Sequence, residues 1–167
     1  MKNLITLIAA VVLVAGFTTV SAQVTATATG SATIITPIAI SKTTDMNFGN
    51  VAVSATAGTV VLTPASTRTK SGGVTLPAVT GTVAAAAFAV TGLGASTYSI
   101  TLPATYTITS GSNNMTVNTF TSTPSGTGTL SSGAQTVQVG ATLNVAASQP
   151  AGTYTNATGF NVTVNYN

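Results

Sequence analysis

The sequence predicts an all-β fold, an immunoglobulin-like two-sheet antiparallel β-sandwich, and three observations carry that prediction. Apolar residues recur at every second position rather than with the helical period of about 3.6. Thr, Val and Ile are dense throughout, and clusters of Gly, Pro, Ser and Asn cut the chain into short runs. The 167 residues are 44% hydrophobic and only 3% charged, the reverse of the weakly hydrophobic, highly charged composition that keeps chains disordered.

Met1 to Ala22 has the three parts of a secretory leader: a cationic start at Lys2, an apolar run from Leu4 to Phe17, and the small-residue end Val20-Ser21-Ala22 before Gln23. Gly16 and Thr18-Thr19 interrupt the run, which is shorter than the roughly 20 residues of a membrane-spanning helix. The expected organisation is therefore a signal peptide over 1–22, an alternating N-terminal strand over 23–34, and a β-sandwich domain over 35–167. The expected location is exported: periplasm, cell surface or extracellular.

The N-terminal ribbon alternates without a break. Val24, Ala26, Ala28, Gly30, Ala32 and Ile34 form one face, and Thr25, Thr27, Thr29, Ser31 and Thr33 form the other. Such a strand can pair with the edge of its own sheet or with that of a neighbouring subunit, where main-chain hydrogen bonds supply affinity and alternate side chains fill a groove. The sequence leaves both pairings open. Small side chains at Ala26, Ala28 and Ala32 suit a narrow groove.

The remaining predicted strands are Ile38–Ser41, Met46–Phe48, Thr59–Thr63, Gly73–Thr75, Ala87–Thr91, Ser99–Leu102, Met115–Thr121, Gln135–Val145 and Phe160–Tyr166, after Val24–Thr29 and Ala32–Ile35 in the ribbon. Turn chemistry separates them at Gly58, Gly72-Gly73, Gly92 to Gly94, Ser110 to Asn114, Pro124 to Gly128 and Pro150 to Gly152. In the last run Phe160, Val162, Val164 and Tyr166 alternate with Asn residues and Thr163. Each large side chain there gains roughly 1.5–3 kcal/mol on burial, so this run is expected to dock as a strand with an edge of its own.

Composition excludes most chemistry. There is no His, Cys, Trp or Glu, and Asp45 is the one acid. Metal sites, carboxylate pairs and nucleophile–base dyads thus lack their usual side chains, and the expectation is no enzyme, no cofactor, no metal and no small-molecule substrate. Without the leader, Lys42, Arg68 and Lys70 face Asp45, too sparse a charge for nucleic acid. Asp45 is expected to bond backbone amides in a turn. Arg68, Lys70 and Ser71-Gly72-Gly73 read as a solvated basic loop, because neither P-loop spacing nor a following helix accompanies them. Tyr98, Tyr106, Tyr154 and Tyr166 read as core or corner residues. Ranks of Thr on several neighbouring strands would suggest a face for ice or crystalline polysaccharide, and the linear sequence displays none.

Several short motifs resemble a known family: Ile38-Ala39-Ile40, Met46-Asn47-Phe48-Gly49, Gly58 to Leu62, Phe88 to Gly92, Tyr98 to Pro103, Val139 to Leu143, Gly152-Thr153-Tyr154 and Val162 to Tyr166. In this order they resemble the bacterial secreted family called domain of unknown function 4402. The layout is also similar to pilus subunits of the archaic chaperone–usher group. That second resemblance implies an incomplete sandwich completed by the N-terminal extension of the next subunit, although many such pilins carry a disulfide and this chain has no Cys.

The expected function is an exported structural or adhesive surface protein, a fimbrial or surface-fibre subunit assembling by β-strand donation. The alternative is a monomeric secreted module that recognises glycan or a surface protein. Expected partners are further copies or related subunits, with a periplasmic chaperone and an outer-membrane usher as candidates.

Overall fold

The computed structural model describes residues 22–167; the predicted leader lies outside the described residues except for Ala22. The chain divides into two units, Met1–Thr33 and Ile34–Asn167. In the first, residues 22–33 carry no strand and their side chains are exposed. The predicted strands Val24–Thr29 and Ala32–Ile35 are thus unformed in the single chain. Alternation gives a strand its two faces, but only a partner edge gives it the hydrogen bonds that define it.

The second unit holds ten strands: β1 (Ala39–Thr44), β2 (Gly58–Leu62), β3 (Arg68–Gly72), β4 (Ala86–Thr91), β5 (Thr97–Thr101), β6 (Thr105–Ser110), β7 (Asn113–Thr123), β8 (Thr127–Thr129), β9 (Ala134–Val145) and β10 (Thr163–Tyr166). Seven strands make one sheet, in the order β1-β4-β9-β2-β3 with β6 and β7 joined to the opposite edge of β9; β10-β5-β8 make the other. Every pairing is antiparallel and neither sheet closes, so the fold is the all-β two-sheet sandwich that the periodicity predicts.

β9 organises the large sheet. Val137, Val139, Ala141, Leu143 and Val145 point inward and are buried, while Thr136, Gln138, Thr142 and Asn144 point outward. One edge of β9 meets β4 over Ala134–Val139 and β2 over Ala141–Val145, and the other edge meets β7. The handover falls at Gly140, where a Cβ would collide with the Leu62 carbonyl and with Thr63. Only a residue without a side chain lets the end of β2 cross so close.

The interior forms two buried clusters. The first lies between the small sheet and the β4 side of β9, around Phe88, Val90, Tyr98, Ile100, Leu130 and Val164. The second, around Phe48, Val60, Leu62, Val117 and Leu143, lies beyond the reach of the small sheet. Its cover includes Met46, Val51, Leu76 and Val83, which stand outside the named strands.

The Asn47-Phe48-Gly49 motif shows how such a segment is held. Asn47 Oδ1 accepts the Gly49 amide at 2.8 Å, and Asn47 and Ala84 exchange backbone bonds at 2.8 and 3.0 Å. Gly49 adopts φ +67, and a Cβ there would also strike the Thr80 carbonyl. This turn drops Phe48 into the core at 9% exposure. Arg68 Nη1 donates to the Phe48 carbonyl and, at 3.0 Å, to that of Asn50.

Several elements differ from the sequence reading. Met46–Phe48 and Gly73–Thr75 are not strands but contribute isolated bridges, Asn47 to Ala84 and Ala52 to Thr75. The basic loop is strand β3: Leu62 stands opposite Arg68 and Val60 opposite Lys70, so both bases lie on the inner side of an edge strand. β6 and β8 are additional strands. The terminal strand covers Thr163–Tyr166 rather than Phe160–Tyr166.

Candidate functional site

Ionisable side chains are few, and the sheet edges, where backbone N–H and C=O groups stand unpaired, are features that can engage a partner. Most of them are guarded. β3 directs Arg68 and Lys70 inward, a known deterrent to edge pairing. β6 is bridged by the returning chain: Thr109 and Thr155 exchange backbone bonds at 2.9 Å, Asn156 Nδ2 donates to Thr107 O at 2.8 Å, and Tyr106 Oη donates to Asn156 O at 2.8 Å. β8 has only three residues. β1 carries Lys42 and an irregularity in register between Lys42 and Thr44.

β10 is an uncharged edge with neither the bridging segment of β6 nor the register irregularity of β1. Thr163 to Tyr166 pair with Thr101 to Tyr98 on one side only. Val164 is buried, and Phe160, Val162 and Tyr166 are half-buried against the first core cluster together with Ile38 and Ile40 from the β1 side. All four residues predicted for the terminal-strand edge therefore face one apolar floor, although Phe160 and Val162 precede the strand. The Phe160 ring meets those of Phe88, Tyr106 and Phe120 at centroid distances of 6.3, 5.5 and 5.1 Å. Tyr166 Oη accepts the Leu93 amide at 2.6 Å and donates to Thr36 O at 3.0 Å, tying the end of β10 to the lead-in of β1.

A cavity of about 1230 Å³ lies between the inner face of the large sheet and the irregular segments 45–53 and 149–160. Its walls include Phe48, Phe88, Tyr106, Ile108, Met115 and Phe160. Gln149 Nε2 anchors the second segment, donating to Asn114 O at 3.1 Å and to Tyr154 Oη at 2.9 Å, and Tyr154 in turn donates to Pro150 O at 2.7 Å.

The predicted donor residues Val24, Ala26, Ala28, Gly30 and Ala32 lie in the first unit and Ile34 begins the second; all are exposed, Val24 at 91% and Ile34 at 99%. Asp45 corrects its expectation, bonding the Lys42 ammonium rather than a backbone amide. Both partners are largely exposed, so the pair contributes at most about 1 kcal/mol. The four tyrosines hold structural positions: Tyr98, fully buried, donates to Gln135 Oε1 at 2.6 Å, and the other three bond main-chain carbonyls. Burial pushes the phenols of Tyr98 and Tyr106 above the ordinary value, with the Asp45 charge adding to the effect on Tyr106.

Sequence reasoning missed the guarding of β6 and the inward aim of Arg68. The signal for β6 was present in the alternation Thr105-Tyr106-Thr107-Ile108-Thr109. Among the described residues no helix is long and apolar enough to cross a membrane. No curated protein matches the chain. No solved structure matches it either. A family model matches residues 38–166, a span that takes in every strand from β1 to β10. The chain accordingly belongs to the family described as Domain of unknown function (DUF4402).

Proposed function

We propose that this protein is an exported structural or adhesive surface protein, a subunit of a fimbrial or surface fibre that assembles by β-strand donation, and not an enzyme. The observation carrying the reading is a complementary pair within one chain: an exposed, two-faced ribbon from Val24 to Ile34, and an uncharged β10 edge over an apolar floor. The ribbon of one subunit enters beside β10 of the next. At about 3.3 Å per residue it spans roughly 35 Å, longer than the four residues of β10, so it would run on along Phe160 and Val162.

Main-chain bonds at about 0.5–1.5 kcal/mol each supply most of the affinity, because four of the six apolar-face positions are Ala or Gly. Low charge makes the mated edges inexpensive to desolvate. The resemblance to archaic pilins and the secretory pattern of the leader support export, with a chaperone shielding the unpaired edge before assembly.

Deleting residues 23–34 tests the reading. The shortened protein is expected to stay monomeric, and a synthetic 23–34 peptide is expected to bind it and raise its unfolding temperature. Polymers formed by the shortened protein would falsify strand donation. The full chain should give detergent-resistant ladders after export; a sharp monomer at high concentration would favour the secreted binding module instead.

A further inference from the structure

The outward positions of the large sheet form a second surface that no stretch of sequence displays. Strand register aligns Thr107, Thr116, Asn144, Thr59 and Ser71 in one row across β6, β7, β9, β2 and β3. Two residues along, the next row is Thr105, Asn118, Thr142, Val61 and Thr69. Hydroxyls and amides thus recur at spacings of about 4.8 Å across the strands and about 7 Å along them, interrupted in the second row by the exposed Val61. The smaller sheet repeats the pattern over only three short strands, as in Asn165, Ser99 and Thr127.

The charges are arranged to leave this face neutral. Lys42 stands opposite Phe88, Lys70 opposite Val60 and Arg68 opposite Leu62, all on the inner side, and Asp45 lies outside the strands. A neutral face offers no counterion release to nucleic acid or to anionic polymers. It lacks the aromatic, Met and Arg centre of a protein interface, and the apolar and basic faces of a membrane-bound surface. Thr, Ser and Asn groups that both donate and accept are matched by a partner of the same kind, densely hydroxylated and uncharged.

We propose that the outer face formed by β6, β7, β9, β2 and β3 binds a neutral polysaccharide, presented as a solid or matrix of aligned chains. Each bond to a sugar hydroxyl replaces one to water and adds little, so binding depends on the number of contacts the wide face makes together. The proposal does not rest on strand donation, because the face is complete in one chain.

The test is retention of the full exported chain on microcrystalline cellulose, insoluble starch and chitin, compared with cross-linked pectate and with growing ice. Retention on at least one of the three neutral solids, unchanged between low and high salt, is the expected result. Thr116→Lys and Thr107→Lys, each placing an ammonium on the face, should weaken that retention by about tenfold or more. Ala95→Lys, in an exposed turn, should leave it unchanged. Thr107 lies on the outermost strand, so its variant reports even where Thr116→Lys does not fold. No retention on any neutral solid, elution by salt, retention on pectate or ice alone, or an equal loss in Ala95→Lys would each overturn the proposal.

Discussion

Arg68 illustrates how far a single residue's role depends on its surroundings. Among neighbours such as Lys70 and Gly72 it has the composition of a loop. In the fold its guanidinium spans two carbonyls of the segment that buries Phe48. Charge-assisted bonds of this kind contribute about 1.5–3 kcal/mol, so Arg68→Ala should lower the unfolding free energy by that order. Lys70→Ala, for which no bond is seen, should change it by less than about 0.5 kcal/mol; urea titration of both variants measures the contrast. Beside Tyr106, Tyr98 shapes the alkaline pH response. Its buried phenol keeps its proton above the ordinary value of 10.0, whereas the unfolded chain releases it there. The stability this provides is fully present below about pH 10 and is lost as pH rises beyond it. Tyr98→Phe should lessen that alkaline decline, leaving the part due to Tyr106, at a cost of about 0.5–1.5 kcal/mol, since Gln135 Oε1 still accepts the Thr129 amide at 3.0 Å.

At the scale of elements, β9 was legible because its inward residues are large and regular over twelve positions. β4, β5 and β7 were found for the same reason, with ends displaced by a few residues. β3 was not, since its inward positions carry Arg68 and Lys70, and its extended form depends on pairing with β2. Met46–Phe48 erred in the other direction: an apolar triplet became a turn because Asn47 captures the Gly49 amide and Gly49 takes a left-handed backbone. The junction of β2, β4 and β9 makes the sharpest prediction at this scale. Gly140→Ala should destabilise by at least about 2 kcal/mol, because the added carbon meets backbone that cannot swing aside. The same change at Gly111, in an open turn, carries only its left-handed backbone strain of about 1 kcal/mol. Thermal unfolding of the two variants should preserve that order.

For the whole molecule, the proposed strand donation separates assembly from folding. The ribbon is exposed and unpaired, so removing Gln23–Thr33 should leave the unfolding free energy of the monomer within about 0.5 kcal/mol of the full chain while abolishing polymers. A fall in monomer stability of several kcal/mol, read by calorimetry, would show that the ribbon completes its own sandwich. The sequence by itself determined the all-β class, the two-faced ribbon, the scarcity of charge and the lack of common catalytic side chains, because alternation and composition are local properties. The tertiary structure decided which edges are guarded, where Arg68 points, and how Thr and Asn residues from five strands come to share one neutral face. Those depend on register between strands far apart in the chain, and register follows from burying Val60, Val117 and Leu143 on one side of a sheet.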